Sequence, residues 1–324
     1  MTHTRLSLAL EAGMELPSQG VIAVFGPRAD TDLSDLPKDR LVLVTGFKPD
    51  VDAFTARGYA CQTDAPTAAA AIVILPRAKA LARAMIARAA GADVLIVDGQ
   101  KTDGIESVLK ELKKRERIAG TISKAHGKLF WLNPTSDFSD WQGRAATVQG
   151  FVTRPGVFSA DGIDPASALL IQHLPQKLSG RVADLGAGWG YLAATVLAGH
   201  PAIKELHLVE ADSAALDCAR ENVTDPRACF HWADATRWTA PARMDAVIMN
   251  PPFHVGRAAE PDLGRAFIAT AAKSLAPNGQ LWLVANRQLP YEAALAALFT
   301  HVEEIGGDKR FKILHAQRPT RQRG

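Results

Sequence analysis

The sequence predicts an α/β fold in two consecutive units, each built on an open, mostly parallel sheet. Short apolar runs alternate with stretches of helical composition along both halves of the chain. Most of these runs stop at glycine, proline or an acid and not in a hairpin turn. Segments of the two halves also match in order: Val94-Leu-Ile-Val97 falls on Leu281-Trp-Leu-Val284, and Ala84-Met-Ile-Ala87 resembles Ala266-Phe-Ile-Ala269.

In chain order, Val21–Phe25, Leu41–Thr45, Ala71–Leu75 and Asp93–Val97 read as strands, with helices over Ala78–Ala90 and Ile105–Lys114. These belong to a first unit, residues 1–145. It carries no glycine-rich cofactor turn, because Phe25-Gly-Pro-Arg28 has a single glycine, and no phosphate-binding P-loop occurs anywhere. Where Val247-Ile-Met-Asn-Pro251 stands in the second half, the first has Ile72-Val-Ile-Leu-Pro76. At the offset of the strand match, Gly120 falls on Gly307 near the final strands. The expectation is a duplicated domain whose first copy has lost its site and serves as a brace or an RNA platform. Residues 133–165 read as a polar linker, leading into Pro155-Gly-Val-Phe158-Ser159-Ala-Asp161-Gly-Ile-Asp164. A helix is expected over Pro165–Leu178, proline being well placed in a first turn.

Composition limits the function. At 324 residues the chain has room for two domains, and 47% apolar content supplies a core for each. The longest apolar run, Ala68–Leu75, is far too short to span a bilayer, and the stretch around Leu6–Leu10 lacks the pattern of a secretory leader. Cys61, Cys218 and Cys229 have neither metal-ligand spacing nor an even count, which fits a reducing cytoplasm and no metal site. After Asp308 the chain has no acid but carries Lys309, Arg310, Lys312, Arg318, Arg321 and Arg323. Such a tail is either solvated or a contact for a phosphate backbone.

The second unit, 146–324, carries the chemistry. Arg181-Val-Ala-Asp184-Leu-Gly186-Ala-Gly188-Trp-Gly190 is a strand and a glycine turn, followed by a helix start whose free N–H groups suit an anion. Gly-x-Gly-x-Gly is not the dinucleotide spacing, and Asp184 would repel a pyrophosphate but welcome an ammonium group. Leu206–Glu210 is the next strand, its acid placed for both hydroxyls of a ribose. Cys229–Trp232 leads to Asp234 and Ala235, suited to the amino edge of an adenine. Any one acid after a strand is usually a turn residue; three in order point to a nucleoside with an amino-acid arm.

Ala246–Met249 then runs into Asn250-Pro251-Pro252-Phe253. Two prolines cannot continue a ladder, so the chain turns at a strand's carboxyl end, where α/β sheets bind ligands. An amide oxygen, a carbonyl and an aromatic face suit a planar group with an exocyclic NH2, on which Phe253 would stack for about 1–3 kcal/mol.

Asp-x-Gly-x-Gly-x-Gly, Glu210, Asp234 and Asn250-Pro-Pro-Phe253, in this order, resemble class I S-adenosylmethionine-dependent methyltransferases of the amino-methylating type. With the duplication and the Pro155–Asp164 segment, the chain is similar to the bacterial 16S rRNA guanine-N2 methyltransferase family, strongly over residues 150–318 and weakly before them. The resemblance implies two Rossmann-like units, the second a seven-stranded sheet with a reversed last strand over Lys309–Ala316. It implies Asp184, Gly186, Gly188 and Gly190 at the methionine arm of S-adenosylmethionine, Glu210 on the ribose, and Asp234 with Ala235 on the adenine. Asn250, Pro251 and Phe253 would hold the target amine of ribosomal RNA, in a monomeric protein. Trp189 is bulkier than the residue many relatives carry there. Large-subunit rRNA, adenine N6 or a protein glutamine as acceptor, and a non-catalytic assembly factor, stay open as alternatives.

Overall fold

The computed structural model describes residues 4–252, 254–255, 258–259 and 261–320. The chain divides into two units at Ala145/Ala146. The first contains α1 (Arg5–Glu11), β1 (Ile22–Phe25), β2 (Leu41–Val44), α2 (Lys48–Ala56), β3 (Ala60–Gln62), β4 (Ala70–Ile74), α3 (Lys79–Ala89), β5 (Val94–Gln100), α4 (Ile105–Leu112), β6 (Gly120–Lys124) and β7 (Gly127–Leu132). The second opens on a hairpin, β8 (Ala146–Val148) and β9 (Phe151–Thr153), then α5 (Pro165–His173), β10 (Gly180–Leu185), α6 (Tyr191–Gly199), β11 (Ile203–Glu210), α7 (Ser213–Asn222), β12 (Ala228–Trp232) and β13 (Met244–Met249). It continues through β14 (His254–Val255), β15 (Ala258–Ala259), α8 (Pro261–Ser274), β16 (Leu275–Asn286), α9 (Tyr291–Leu298), β17 (Phe299–Gly307) and β18 (Phe311–Pro319).

Each unit has a seven-stranded sheet, and the two share one topology: β3-β2-β1-β4-β5-β7-β6 and β12-β11-β10-β13-β16-β18-β17. In both, five strands run parallel and the strand made last is inserted antiparallel beside the fifth. Thus β4 corresponds to β13 and β5 to β16, as the sequence match implies. The glycine pair does not hold, because Gly120 opens β6 whereas Gly307 closes β17.

The parallel strands are buried on both faces, which explains their near-continuous apolar runs. In the second unit Ala166 and Leu170 of α5, Val196 of α6 and Ala219 of α7 pack with Val182 and Ile248 on one face. Phe267 and Ile268 of α8 and Leu295 of α9 pack with Val247 on the other.

The units differ where β1 and β10 end. In the second, the glycine turn feeds α6. In the first, residues 26–37 form an irregular loop with a 3-10 turn, Lys38–Arg40, before β2. Pro27, Pro37 and the Asp-Ser-rich stretch between them are poor helix formers. The loop folds onto its own edge: Asp50 of α2, buried, accepts a hydrogen bond from the Ala29 N–H (2.9 Å) and pairs with Arg28 at 3.4 Å.

The expected linker is not one. Thr135 and Ser136 donate backbone hydrogen bonds to Glu116, and Phe138 and Trp141 sit in the first core. Val157 forms a small cluster with Trp189, Ala215 and Cys218 of the second unit. The helix opening at Pro165 stops at His173, short of Leu178, because Pro175 bars helical backbone at Leu174.

Candidate active site

The order β12-β11-β10-β13 puts the carboxyl ends of four consecutive parallel strands side by side. From β10 the chain steps outward through β11 to β12, then crosses back to β13. The edge above β10 is therefore a switch point, where an open sheet leaves a crevice. Asp184, Glu210, Asp234 and Asn250 all lie at or just beyond these strand ends.

The glycine turn has the backbone its sequence requires. Gly186, Gly188 and Gly190 all have positive φ, at 78°, 55° and 90°. A Cβ on Gly188 would meet nothing within 4 Å, so open space lies over this turn. A Cβ on Gly190 would come within 2.8 Å of Val223, so that glycine lets the turn approach α7. Beneath the turn Asp184 is fully buried, and both its oxygens lack a hydrogen-bond partner. Burial, with Glu210 adding like charge, pushes its carboxyl up to about 8. An orphaned buried acid below a cradle of open glycine backbone fits a cationic ligand group.

Glu210 holds the turn in place. It accepts hydrogen bonds from the backbone N–H of Gly188 and of Asp212, each at 2.8 Å. Burial raises its carboxyl above the usual range, against these two bonds. A carboxylate offers about four acceptor sites, so capacity for a pair of hydroxyls remains. Asp234 accepts from the Thr236 N–H (2.8 Å) and hydroxyl (2.7 Å) through Oδ1. The Ala235 side chain is in the core, so only its backbone can meet a ligand.

Asn250 shows what the sequence does not. Its Nδ2 donates to Asp164 Oδ2 and to Ser167 Oγ, each at 2.8 Å. Asp164 is the N-cap of α5 and takes the Ser167 N–H at 2.8 Å as well. A carboxylate can only accept, so this contact fixes which way round the amide stands. Both amide hydrogens are consumed and Oδ1 is left as a pure acceptor. Asp164 and Ser167 are thus site residues that sequence reasoning missed. The available signal was Asp-Pro-x-Ser, which reads as a helix cap and hides the second bond. Pro251 is buried and Pro252 exposed; Phe253, expected to stack on the target, lies outside the described residues.

Asn250, Asp164, Ser167 and the turn from Gly186 to Trp189 border one hollow together with Phe158 and Ser159. The bulk of Trp189 is absorbed by packing: its ring lies 5.2 Å from that of Phe151 and 5.9 Å from that of Tyr191, and its Nε1–H donates to the Phe158 carbonyl at 2.9 Å. Among the described residues no helix is long and apolar enough to cross a membrane, and no group of His, Cys, Asp or Glu could hold a metal ion.

The methyltransferase small domain family matches residues 149–315. The ribosomal RNA small subunit methyltransferase C of Shewanella sp. (strain MR-4) is 34% identical over 265 residues, covering 76% of each chain. The protein of the same name from Hahella chejuensis is 33% identical over 236 residues, 68% of each. Among solved structures, the T. thermophilus 16S rRNA N2 G1207 methyltransferase in complex with AdoMet and guanosine superposes with a TM-score of 0.77. It is 24% identical, over 94% of this chain and 90% of that one, and the likeness shows a shared fold. The chain belongs to the methyltransferase small domain family, in the group of the small-subunit ribosomal RNA methyltransferase C proteins.

Proposed function

We propose that this protein transfers a methyl group from S-adenosylmethionine to the exocyclic N2 amine of a guanine in 16S ribosomal RNA, in the cytoplasm. The observation that carries the reading is Asn250, whose amide hydrogens are both taken by Asp164 and Ser167, which fixes the amide's orientation and leaves the acceptor Oδ1 as its remaining polar group.

When bound, S-adenosylmethionine supplies an electrophilic methyl with its own leaving group, so no nucleophile or metal is asked of the protein. Asp184 offers charge to the ammonium of the methionine arm, Glu210 accepts from the ribose hydroxyls, and Asp234 with the Ala235 backbone meets the adenine edge. A guanine N2 lone pair is delocalised into the ring and attacks poorly. Asn250 Oδ1 and the Pro251 carbonyl accept the two amine hydrogens and turn the lone pair toward the methyl. Neither group is a base, so their part is orientation, which supplies roughly 7–11 kcal/mol of a barrier in favourable cases, and the proton that the methylated nitrogen sheds passes to solvent. A base stacked in a helix cannot reach this hollow, so the target is everted or lies in an open loop. Mass spectrometry of 16S rRNA from a strain lacking the protein tests the reading. One guanine should lose its N2 methyl; a lost methyl on adenine or in 23S rRNA would replace this assignment.

Glu210→Ala is expected to weaken S-adenosylmethionine by about 1–3 kcal/mol, from unpaired hydroxyls and a slackened turn. Asp98→Ala, which breaks the Arg5–Asp98 pair (2.5 Å) in the first unit, should leave that affinity alone. Calorimetry on both variants decides, and a cofactor site abolished by Asp98→Ala would reverse the roles of the units.

The basic tail divides between two edges of the second sheet. Phe311 pairs with Asn286 at the carboxyl end of β16 and Gln317 with Gln280 near its other end. Lys309 and Arg310 therefore stand at the edge that carries Asn250, and Arg318 at the opposite edge; Arg321 and Arg323 lie outside the described residues. Replacing Lys309 and Arg310 with Ser should weaken RNA binding and reduce its salt slope by about one to two phosphate contacts. Arg318→Ser should do so less, and equal slopes for wild type and the Lys309/Arg310 variant would remove this edge from the RNA path.

A further inference from the structure

Among the described residues Phe158 is the one large apolar side chain that stands mostly in solvent, at 64% exposure. Its surroundings are tied down. Val157 before it is buried against Trp189 and Cys218. The Phe158 carbonyl accepts the Trp189 indole N–H at 2.9 Å. Ser159 after it has φ 53°, a conformation that costs a non-glycine residue free energy, and its hydroxyl donates to the Gly162 carbonyl at 2.8 Å. One residue further on, the Ala160 carbonyl accepts the Thr153 hydroxyl at 2.9 Å. A slack loop would fold an exposed ring inward. Here the backbone on both sides is clamped and the ring is held out.

The ring is held out at a particular place. Phe158 borders the hollow that Asn250, Asp164 and Gly188 also border. Phe158 lines the hollow yet keeps most of its ring in solvent, so a flat group at the hollow's mouth has a free aromatic face to meet. Eversion of a guanine leaves the neighbouring base without a stacking partner at that position, and a rigid exposed aromatic face is the chemistry that replaces one.

We propose that Phe158 is a stacking platform for the base next to the target nucleotide, holding the RNA strand with the guanine turned into the hollow. This rests on the function proposed above. It adds a second aromatic contact, on the flanking base, to the one expected of Phe253 on the target.

The test is single-turnover methyl transfer to undermethylated small ribosomal subunits, with saturating cofactor and varied subunit concentration. Cofactor calorimetry and thermal melting run in parallel. Phe158→Ala should raise the half-saturating subunit concentration on the order of tenfold or more. Its cofactor affinity and melting temperature should match wild type. Phe158→Trp should retain RNA affinity, whereas Phe158→Leu, similar in apolar bulk but without a flat π face, should behave as Ala does. The Leu and Trp pair carries the test should the Ala variant fold poorly. Unchanged half-saturation in Phe158→Ala overturns the proposal, as does a Leu variant as good as Trp. A fall in cofactor affinity would reassign the ring to the cofactor. Wild-type protein that leaves every 16S guanine unmethylated would instead sink the proposed function, so the two failures are distinguishable.

Discussion

Asn250→Ala is expected to lower the single-turnover rate of methyl transfer by on the order of 10²-fold or more, as when one preorganised polar group is lost elsewhere. S-adenosylmethionine affinity should change little, because the glycine turn, Asp184 and Glu210 do not use that side chain. From sequence alone Asn250→Asp keeps an acceptor of the same shape, and partial activity is the natural expectation. The structure reverses it. The group that replaces Nδ2 would face Asp164 Oδ2 at about the present 2.8 Å, acceptor against acceptor and charge against charge. Asn250→Asp should therefore be at least as inactive as Asn250→Ala, and less stable. Single-turnover assays on undermethylated subunits, with cofactor calorimetry alongside, check both. An Asn250→Asp enzyme clearly faster than the Ala variant would mean that Asp164 does not set the amide's orientation, and near-normal turnover in Asn250→Ala would return the motif to a simple strand-ending turn.

The second large effect is expected at Asp184. Its carboxyl moves from an ordinary 3.8 to about 8 in the folded, ligand-free protein. Between these values the folded chain holds a proton that the unfolded chain has released, so stability falls as pH rises through that window and levels off above it. The cost reaches on the order of 5 kcal/mol by pH 8. Melting of the ligand-free protein should show this slope, and Asp184→Asn should flatten it. An ammonium group beside Asp184 favours the ionised form, so cofactor binding near pH 7 should expel a proton. Calorimetry in two buffers of different ionisation enthalpy reads that proton directly. Asp184→Asn should abolish the buffer dependence and weaken binding roughly 10- to 100-fold, the worth of a hydrogen bond to a charged group. Wild-type heats that do not depend on the buffer would detach Asp184 from the ammonium.

What was legible in the sequence was local. A branched apolar run that stops at Gly, Pro or an acid identifies itself, so β1, β4, β10 and β13 could be placed within a residue or two and β11 at its carboxyl end, and with them Asp184, Glu210 and Asn250. What was not legible joins distant parts of the chain. Asn250 and Asp164 are 86 positions apart, and nothing in either neighbourhood signals a shared hydrogen bond. Residues 151–163 have the composition of a loop, yet Val157 is buried because Trp189, far along the chain, offers it a surface. The glycine match between Gly120 and Gly307 failed for a related reason: β17 has nine residues and β6 five, so one offset cannot serve the whole repeat.

The inserted strand has a consequence for how each sheet is completed. β18 follows β17 in the chain but lies between β17 and β16, and β7 likewise lies between β6 and β5. A nascent sheet therefore cannot grow by adding each new strand to its rim. Until β18 is available, β16 presents an open row of donors and acceptors and β17 has no neighbour to pair with. The five parallel strands are then a half-open platform liable to pair with another chain. In the second unit, closing it depends on residues 311–319, whose central part, from Lys312 to Ala316, is buried. A hairpin turn at Asp308, whose carboxylate accepts the N–H groups of Arg310 and Phe311 at 2.7 Å, starts β18 back along β16, and its early formation would favour insertion over self-association.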